Sequence, residues 1–368
     1  MSSGATGRLQ FLDGARGLAL VFMVLNHTGR WWLAQPMGWP RYHLVYLTVT
    51  LAAPLFLFLA GFCLPLSYLE ATLTRGERHG ALARRYAGRG SRLVVAGWFL
   101  TLLVFPDEPL YGGGVLQTIG LSIIGVTLIL PQLHRRTARW ILLALALGIY
   151  VSFALAHPAL RAWVLRHPLA ADVWFHDFPL WPWFAFALLG AVLGWVWTEL
   201  HRRGEDDRRY FEVMGLAGVA CLVAFLALEL TIGTTPHFFS GRDLVLNHHW
   251  NPGAVTCLWI LGALFTLLPA AYYLMSVRRL RAPWLVALGQ HALLLYFVHQ
   301  VIVLTFLRQR FGVLFHSWSA YVAANVLLLA VLVVLAGVWP EFKRRARALI
   351  LSRVVKRPQG DRGVAGAG

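Results

Sequence analysis

Four polar residues interrupt the first apolar segment of the chain, DGARGLALVFMVLNH, which runs from residue 13 to residue 27. They are Asp13, Arg16, Asn26 and His27. Histidine suits proton abstraction near neutral pH, because its ordinary pKa is about 6.5. An arginine three residues after an aspartate can form an ion pair with it. The segment therefore raises the hypothesis of general-base catalysis at His27, with Arg16 and Asp13 in support.

Helical geometry predicts that these side chains share one face. Arg16 and His27 are eleven residues apart, which is three turns and roughly 16 Å along a helix axis. Burial of such groups in a membrane costs roughly 2.5 to 3.5 kcal/mol each, so a polar stripe is a functional hypothesis by default. The alternative is an Asp13–Arg16 ion pair at one membrane boundary, with Asn26 and His27 in the opposite interface. The spacing alone leaves both interpretations open.

The elements that must position this stripe are membrane helices. Hydrophobic residues make up 58% of the 368 residues and charged residues 13%. Apolar runs of roughly 20 residues, the length that crosses a bilayer, recur along the chain. The sequence predicts an all-α, polytopic membrane protein, with a transmembrane domain at 1–345 and a basic, disordered tail at 346–368. We place about ten spans, at 13–32, 44–66, 88–105, 115–131, 139–156, 181–199, 211–233, 253–275, 285–306 and 318–338.

Basic residues alternate between the loops, and this alternation predicts the orientation of the chain. Arginines concentrate near the N-terminus, in alternate loops and in the tail. Because cytoplasmic loops retain Lys and Arg, both termini are expected in the cytoplasm, in a multi-pass cell membrane protein of bacterial type. The same loops account for the net charge of +17, so nucleic acid is not an expected partner. The basic segments are Arg8, 75–92, 132–139, 200–210, 276–284 and the tail from Lys343.

Six stretches, in this order, resemble the membrane acyltransferase type 3 superfamily, including relatives of heparan-alpha-glucosaminide N-acetyltransferase. In RLQFLDGARGLALVFMVLNH, Arg16 and His27 fit the superfamily motif of an arginine, ten residues and a histidine. The resemblance covers most of the chain. The other five stretches are APLFLFLAGFCLPLS (53–67), ARRYAGRGSRLV (83–94), GGVLQTIGLS (113–122), WPWFAFALLGAVLG (181–194) and LGQHALLLYFVHQ (288–300).

The resemblance implies transfer of an acyl group, commonly acetyl from acetyl-CoA, to a hydroxyl or amine of a sugar or glycan. The donor would come from the cytoplasm, and the acceptor would be external. His27 would be the catalytic histidine and Arg16 its motif partner. In the heparan-type branch, however, the histidine considered catalytic lies in the loop after the first helix, where this chain has His43. We therefore favour His27 and keep His43 as the second candidate.

Coenzyme A carries phosphates, so its site is expected to hold guanidinium groups. Arg85, Arg89 and Arg92 are spaced i, i+4, i+7 and would line one face of the third helix. The alternative is ordinary positive-inside charge. Gln117 would bind the pantetheine arm of the acyl-CoA or bridge two helices.

Acceptor binding is predicted for polar residues in the external half of the bundle. His299 is expected at about the depth of His27, where it would bind acceptor hydroxyls or orient His27. Asn26 and the loop residues His249 and Trp250 are further candidates, although tryptophans at a boundary are often part of the aromatic belt. Neither these histidines nor the three cysteines have metal-ligand spacing, so no metal is expected.

Two function classes remain after these observations. The first is an acyl-CoA-dependent acyltransferase whose histidine is reached from both faces of the membrane. The second is a transporter or flippase of a glycan or lipid-linked intermediate, in which the polar stripe would line the path. The sequence shows no inverted repeat, and we therefore favour the enzyme.

Overall fold

The computed structural model describes residues 9–34, 51–106, 109–110, 114–164, 166–167, 178–232 and 254–355. Within these ranges the chain is helical and contains no β-strand beyond an isolated bridge between Leu33 and Phe315. The predicted all-α fold class is confirmed. The described helices are α1 (Gln10–Trp32), α2 (Ala52–Leu69), α3 (His79–Val104), α4 (Val115–Ile129), α5 (Arg136–Val164), α6 (Leu180–Arg202), α7 (Asp207–Ile232), α8 (Ala254–Tyr272), α9 (Pro283–Gln290), α10 (Ala292–Gln300) and α11 (Trp318–Val355).

Several helices change pitch at their ends. α4 ends in a 3₁₀ turn at Leu130–His134, whereas α2 and α8 end in π-helical turns at Glu70–Thr74 and Tyr273–Val277. After α10 the chain continues as a π-helix over Val301–Arg310. Such wider turns are rare and often occur at functional sites.

Nine of the described helical segments are long and apolar enough to cross a membrane. α1 falls outside this set because of its polar residues, but its 23 residues are also long enough to span a bilayer. Together they account for the predicted count of about ten. α1 packs against α2, α8, α9, α10 and α11, and this position inside the bundle explains how it can carry buried charges.

The outer surface of the bundle is apolar. Leu147 on α5, Leu216 on α7 and Leu327 on α11 are 66%, 71% and 66% exposed. Large apolar side chains exposed in this number are unfavourable in water but suited to lipid. The multi-pass membrane class predicted from composition therefore agrees with where the apolar side chains lie.

Basic residues gather at one end of the bundle. Arg139 at the start of α5 pairs with Glu199 near the end of α6 at 2.8 Å, and Arg202 pairs with Glu70 after α2 at 3.2 Å. These ion pairs bring alternate loops together, as the loop charges predict. We call this the basic end; its assignment to the cytoplasm stays a prediction. It comprises residues 9–16, 70–92, 131–139, 199–212 and 275–290.

Close packing of α1 against α9 depends on two glycines. A Cβ at Gly17 would overlap the backbone carbonyl of Leu285, and a Cβ at Gly289 would overlap that of Asp13. Small residues at such crossings let helix backbones touch within membranes. The crossing fixes the part of α1 that carries Asp13 and Arg16.

The predicted span at 285–306 is not one continuous α-helix. His291, with φ −114° and ψ 19°, separates α9 from α10. At this break the side chain of Gln290 reaches across and donates from Nε2 to Asp13 Oδ2 at 3.2 Å. At this interruption Gln290 therefore provides a hydrogen bond to the buried carboxylate of Asp13 on α1.

The last helix is longer than the predicted span at 318–338. α11 extends to Val355, so residues 346–355 of the predicted tail are helical. Residues 356–368 lie outside the described ranges.

Candidate functional site

Two cavities lie along the same side of α1. The basic-end chamber, about 500 Å³, is lined by Asp13, Arg16 and residues of α2, α3, α4, α9 and α10. The His27 chamber, about 110 Å³, lies nearer the other end of α1. The polar stripe predicted on α1 thus borders two separate spaces. The chambers share three wall residues, Val115, Leu116 and Tyr296.

Arg16 is held in the basic-end chamber by an ion pair behind it. Its Nη1 donates to Asp13 Oδ1 at 3.0 Å, and Asp13 also accepts from Gln290. The Asp13 side chain is 3% exposed, whereas that of Arg16 is 32% exposed. Because a guanidinium has five donor hydrogens, Arg16 can pair with Asp13 and still present donors to the chamber.

The predicted arginine cluster on α3 is divided in the structure. Arg89 and Arg92 line the basic-end chamber together with Arg16. Arg85 lies outside the lining and forms an ion pair with Glu77 at 2.8 Å. Three guanidinium groups therefore surround the chamber, but they come from α1 and α3 rather than from α3 alone.

In the His27 chamber, His27 is hydrogen-bonded to a second histidine. His27 Nδ1 is 2.8 Å from His299 Nε2. The two ring planes differ by 5°, and their centroids are 5.1 Å apart. When two imidazole nitrogens are this close, the ring centres are farthest apart if both nitrogens lie on the line between the centres. The observed centroid distance is about that maximum, so the two rings lie edge to edge in one plane.

Two further side chains restrain the His27 ring. Trp31, one turn later on α1, stacks on it at a centroid distance of 5.0 Å and an angle of 21°. Gln300 Nε2 lies 3.1 Å from His27 Nδ1 and 3.4 Å from Nε2. His27 thus has contacts on its Nδ1 edge and on its face, and it lines the chamber.

Two hydrogen bonds just after His27 fix the end of α1 against neighbouring helices. Thr28 Oγ1 donates to Asn325 Oδ1 at 2.7 Å, which joins α1 to α11. Trp32 Nε1 donates at 3.0 Å to the carbonyl of Val303, in the π-helix after α10. Since Thr28 and Trp32 follow His27 within two turns, these bonds set the rotation of α1 at the site.

Other predicted site residues lie in different places. Gln117 lines the His27 chamber, where its side chain fills the space left by Gly97 and Gly114. His299 is fully buried and lines neither chamber, so its position favours orientation of His27 over direct acceptor contact. Asn26 is buried and is not part of either lining.

Three predicted residues, His43, His249 and Trp250, lie outside the described part of the chain. Among the residues that the structure describes, no group of three or more His, Cys, Asp or Glu side chains is arranged to hold a metal ion.

Sequence reasoning missed Trp31, Tyr296 and Gln300. Trp31 follows His27 by four residues, and Tyr296 and Gln300 flank His299 by three residues and one residue. Helical spacing around each histidine was a usable signal for the first two. The meeting of His27 with His299 depends on the packing of α10 against α1, which no local pattern reveals.

The family model described as heparan-alpha-glucosaminide N-acetyltransferase, catalytic, matches residues 8–228, more than half of the chain. No curated protein sequence matches the chain. The matched region includes Arg16, His27, Arg89 and Arg92 but ends well before His299.

Proposed function

Because the chain belongs to the heparan-alpha-glucosaminide N-acetyltransferase catalytic family, we propose that it moves acetyl from acetyl-CoA across the membrane. The acceptor is a hydroxyl or amine of a sugar or glycan at the face opposite the basic end. The strongest support for this proposal is the arrangement of the two chambers. An arginine-lined chamber and a histidine-lined chamber lie on one helix and share a wall formed by Val115, Leu116 and Tyr296.

The basic-end chamber fits the chemistry of a coenzyme A thioester. Arg16, Arg89 and Arg92 provide planar donors for phosphate oxygens. Apolar side chains such as Leu59 and Ile119 line the remainder, as small-molecule sites require. The distance along α1 from Arg16 to His27, about 16 Å, is one that an extended pantetheine arm can bridge.

The His27 chamber fits the acceptor side of the reaction. Trp31 and Phe105 supply aromatic surface for a sugar ring, while Arg30, Thr101 and Gln117 supply polar groups for hydroxyls. A few polar groups within a largely apolar cavity fix the orientation of a ligand. The chamber is small, so we expect it to admit one terminal sugar rather than a long glycan.

In the transfer step, His27 takes the proton of the attacking hydroxyl or amine. The oxygen or nitrogen of the acceptor forms a bond to the acetyl carbonyl carbon, and the carbon–sulfur bond breaks. His27 then gives its proton to the departing sulfur, so the products are the acetylated acceptor and free coenzyme A. Acetyl-CoA supplies an activated acetyl group as its thioester.

The proposal is tested with purified protein in liposomes. Labelled acetyl-CoA is supplied on one side and extracts of envelope glycans on the other, and the acceptor is then identified by its label. Label in a glycan on the opposite side supports the proposal. Movement of an unlabelled glycan would instead support the transporter alternative, which the interrupted helix at His291 also allows.

We expect the double variant Arg89→Gln/Arg92→Gln to raise the KM for acetyl-CoA by at least tenfold. Each side chain offers a charge-assisted contact to phosphate, worth about 1.5 to 3 kcal/mol when lost. The acceptor KM should stay near its original value, because phosphate binding is remote from the acceptor and contributes equally to ground and transition states. Steady-state kinetics with each substrate varied in turn provide the measurement.

The matched control is Arg84→Gln/Arg85→Gln. It removes the same charge from the same helix, but neither residue lines the chamber. If both double variants raise the donor KM equally, the effect comes from general charge. If neither does, the cluster serves only membrane topology.

A further inference from the structure

The hydrogen bonds of His299 determine which nitrogen of His27 carries a hydrogen. A backbone carbonyl only accepts, so His299 Nδ1, 2.9 Å from the Leu295 oxygen, must donate. His299 is fully buried, where a charged imidazolium would be costly, so its ring is neutral. The Nε2 of a neutral ring that donates from Nδ1 is an acceptor. His27 Nδ1, 2.8 Å away, must therefore donate, and the His27 lone pair lies on Nε2.

We propose that His299 is a positioning residue that holds His27 in the tautomer with its lone pair on Nε2. This inference rests on the proposed function, in which His27 is the base. The Nδ1 edge of His27 meets buried His299, so Nε2 is the nitrogen on the chamber side. Free histidine favours the opposite tautomer, which would turn the lone pair toward the protein interior. His299 plays the part that a carboxylate has in a Ser-His-Asp triad, but with a neutral ring.

Gln300 agrees with the same tautomer when its amide oxygen faces His27. Its side chain is buried, its Oε1 has no hydrogen-bond partner, and its Nε2 lies 3.1 Å from His27 Nδ1. Two donors would face each other there if His27 Nδ1 carries a hydrogen. Rotation of the amide by half a turn brings Oε1 to that position and provides a second acceptor. His299 and Gln300 are adjacent on α10, so one helix turn presents both acceptors to His27.

Activity of two matched variants tests this role. We expect His299→Leu to lower kcat by about 10- to 100-fold, less than loss of the base itself, and to leave both KM values within about twofold. His299→Gln should keep most of the activity, because its Oε1 can accept from His27 Nδ1 near the position of the lost Nε2. A purely structural role predicts the reverse, since leucine suits a buried site better than an amide does.

The tautomer can be read directly from ¹⁵N NMR of ring-labelled histidine, with His27→Gln used to assign the His27 signals. In the unaltered protein we expect Nδ1 of His27 to carry the hydrogen and Nε2 to show the shift of an unprotonated nitrogen. In the double variant His299→Leu/Gln300→Leu, which removes both acceptors of the Nδ1 hydrogen, Nε2 of His27 should carry the hydrogen and Nδ1 should show the shift of an unprotonated nitrogen. A hydrogen on Nε2 in the unaltered protein, or an unchanged tautomer in the double leucine variant, would overturn the inference.

The roles of His27 and His299 can be refuted separately. If His27→Ala remains fully active, the proposed base is wrong, whatever the NMR spectra show for its tautomer. If His27→Ala is inactive while His299→Leu retains the original kcat, the base stands and the role of His299 is refuted. Should the leucine variant fail to fold, the spectrum of the unaltered protein still decides the tautomer.

Discussion

His27→Ala is expected to lower kcat for acetyl transfer by about 10²- to 10⁴-fold, because general-base catalysis contributes a factor of that size. The KM for acetyl-CoA should change little, since the arginines that would bind its phosphates line the basic-end chamber and not the His27 chamber. His27 lines a cavity and is only partly buried, so the variant should still fold and insert. Single-turnover rates with labelled acetyl-CoA provide the measurement.

His43→Ala is the necessary comparison. The resemblance to the heparan-type branch places a histidine in the loop after the first helix, and His43 is the candidate there. If His27 is the base, the His43 variant should lose much less activity. The opposite pattern, an inactive His43→Ala with an active His27→Ala, would indicate that the general base is His43 in that loop. Full activity in both variants would leave the proposed reaction without a base.

The placement of Arg16 and His27 on one face of α1 could be predicted from the sequence, because it depends only on spacing along a single helix. The eleven-residue spacing of Arg16 and His27 predicts a shared face, and the structure places both residues on cavities along one side of α1. The apolar runs likewise predict the membrane helices, since a bilayer imposes one length on every span. Properties that one helix determines by itself are therefore accessible to such reasoning.

The partners of those residues could not be predicted in the same way. Arg85 has the spacing to join Arg89 and Arg92, but it forms an ion pair with Glu77 in the loop before α3. Gln290 contacts Asp13 at the helix break before His291, and apolar periodicity does not reveal that break. Each of these outcomes depends on which helices pack together or on a local competition between charges.

The ion pair between Asp13 and Arg16 provides the second large effect. Arg16→Ala removes the guanidinium that pairs with a carboxylate whose side chain is 3% exposed. Loss of one partner of a buried pair costs up to about 3 to 5 kcal/mol. We therefore expect a lower melting temperature in detergent together with strong loss of transfer activity. Arg16→Lys should rescue little, because a point charge cannot bind Asp13 and a phosphate as a planar fork does.

A double variant separates the two consequences. Asp13→Asn/Arg16→Gln removes both charges, so no buried carboxylate remains without its guanidinium, and the melting temperature should recover most of the loss seen in Arg16→Ala. The KM for acetyl-CoA should remain high, because a neutral amide binds phosphate much more weakly than a guanidinium does. A double variant that regains both stability and donor affinity would show that Arg16 only neutralises Asp13. A stable variant with weak donor binding would show that the pair holds Arg16 in place for the donor phosphates.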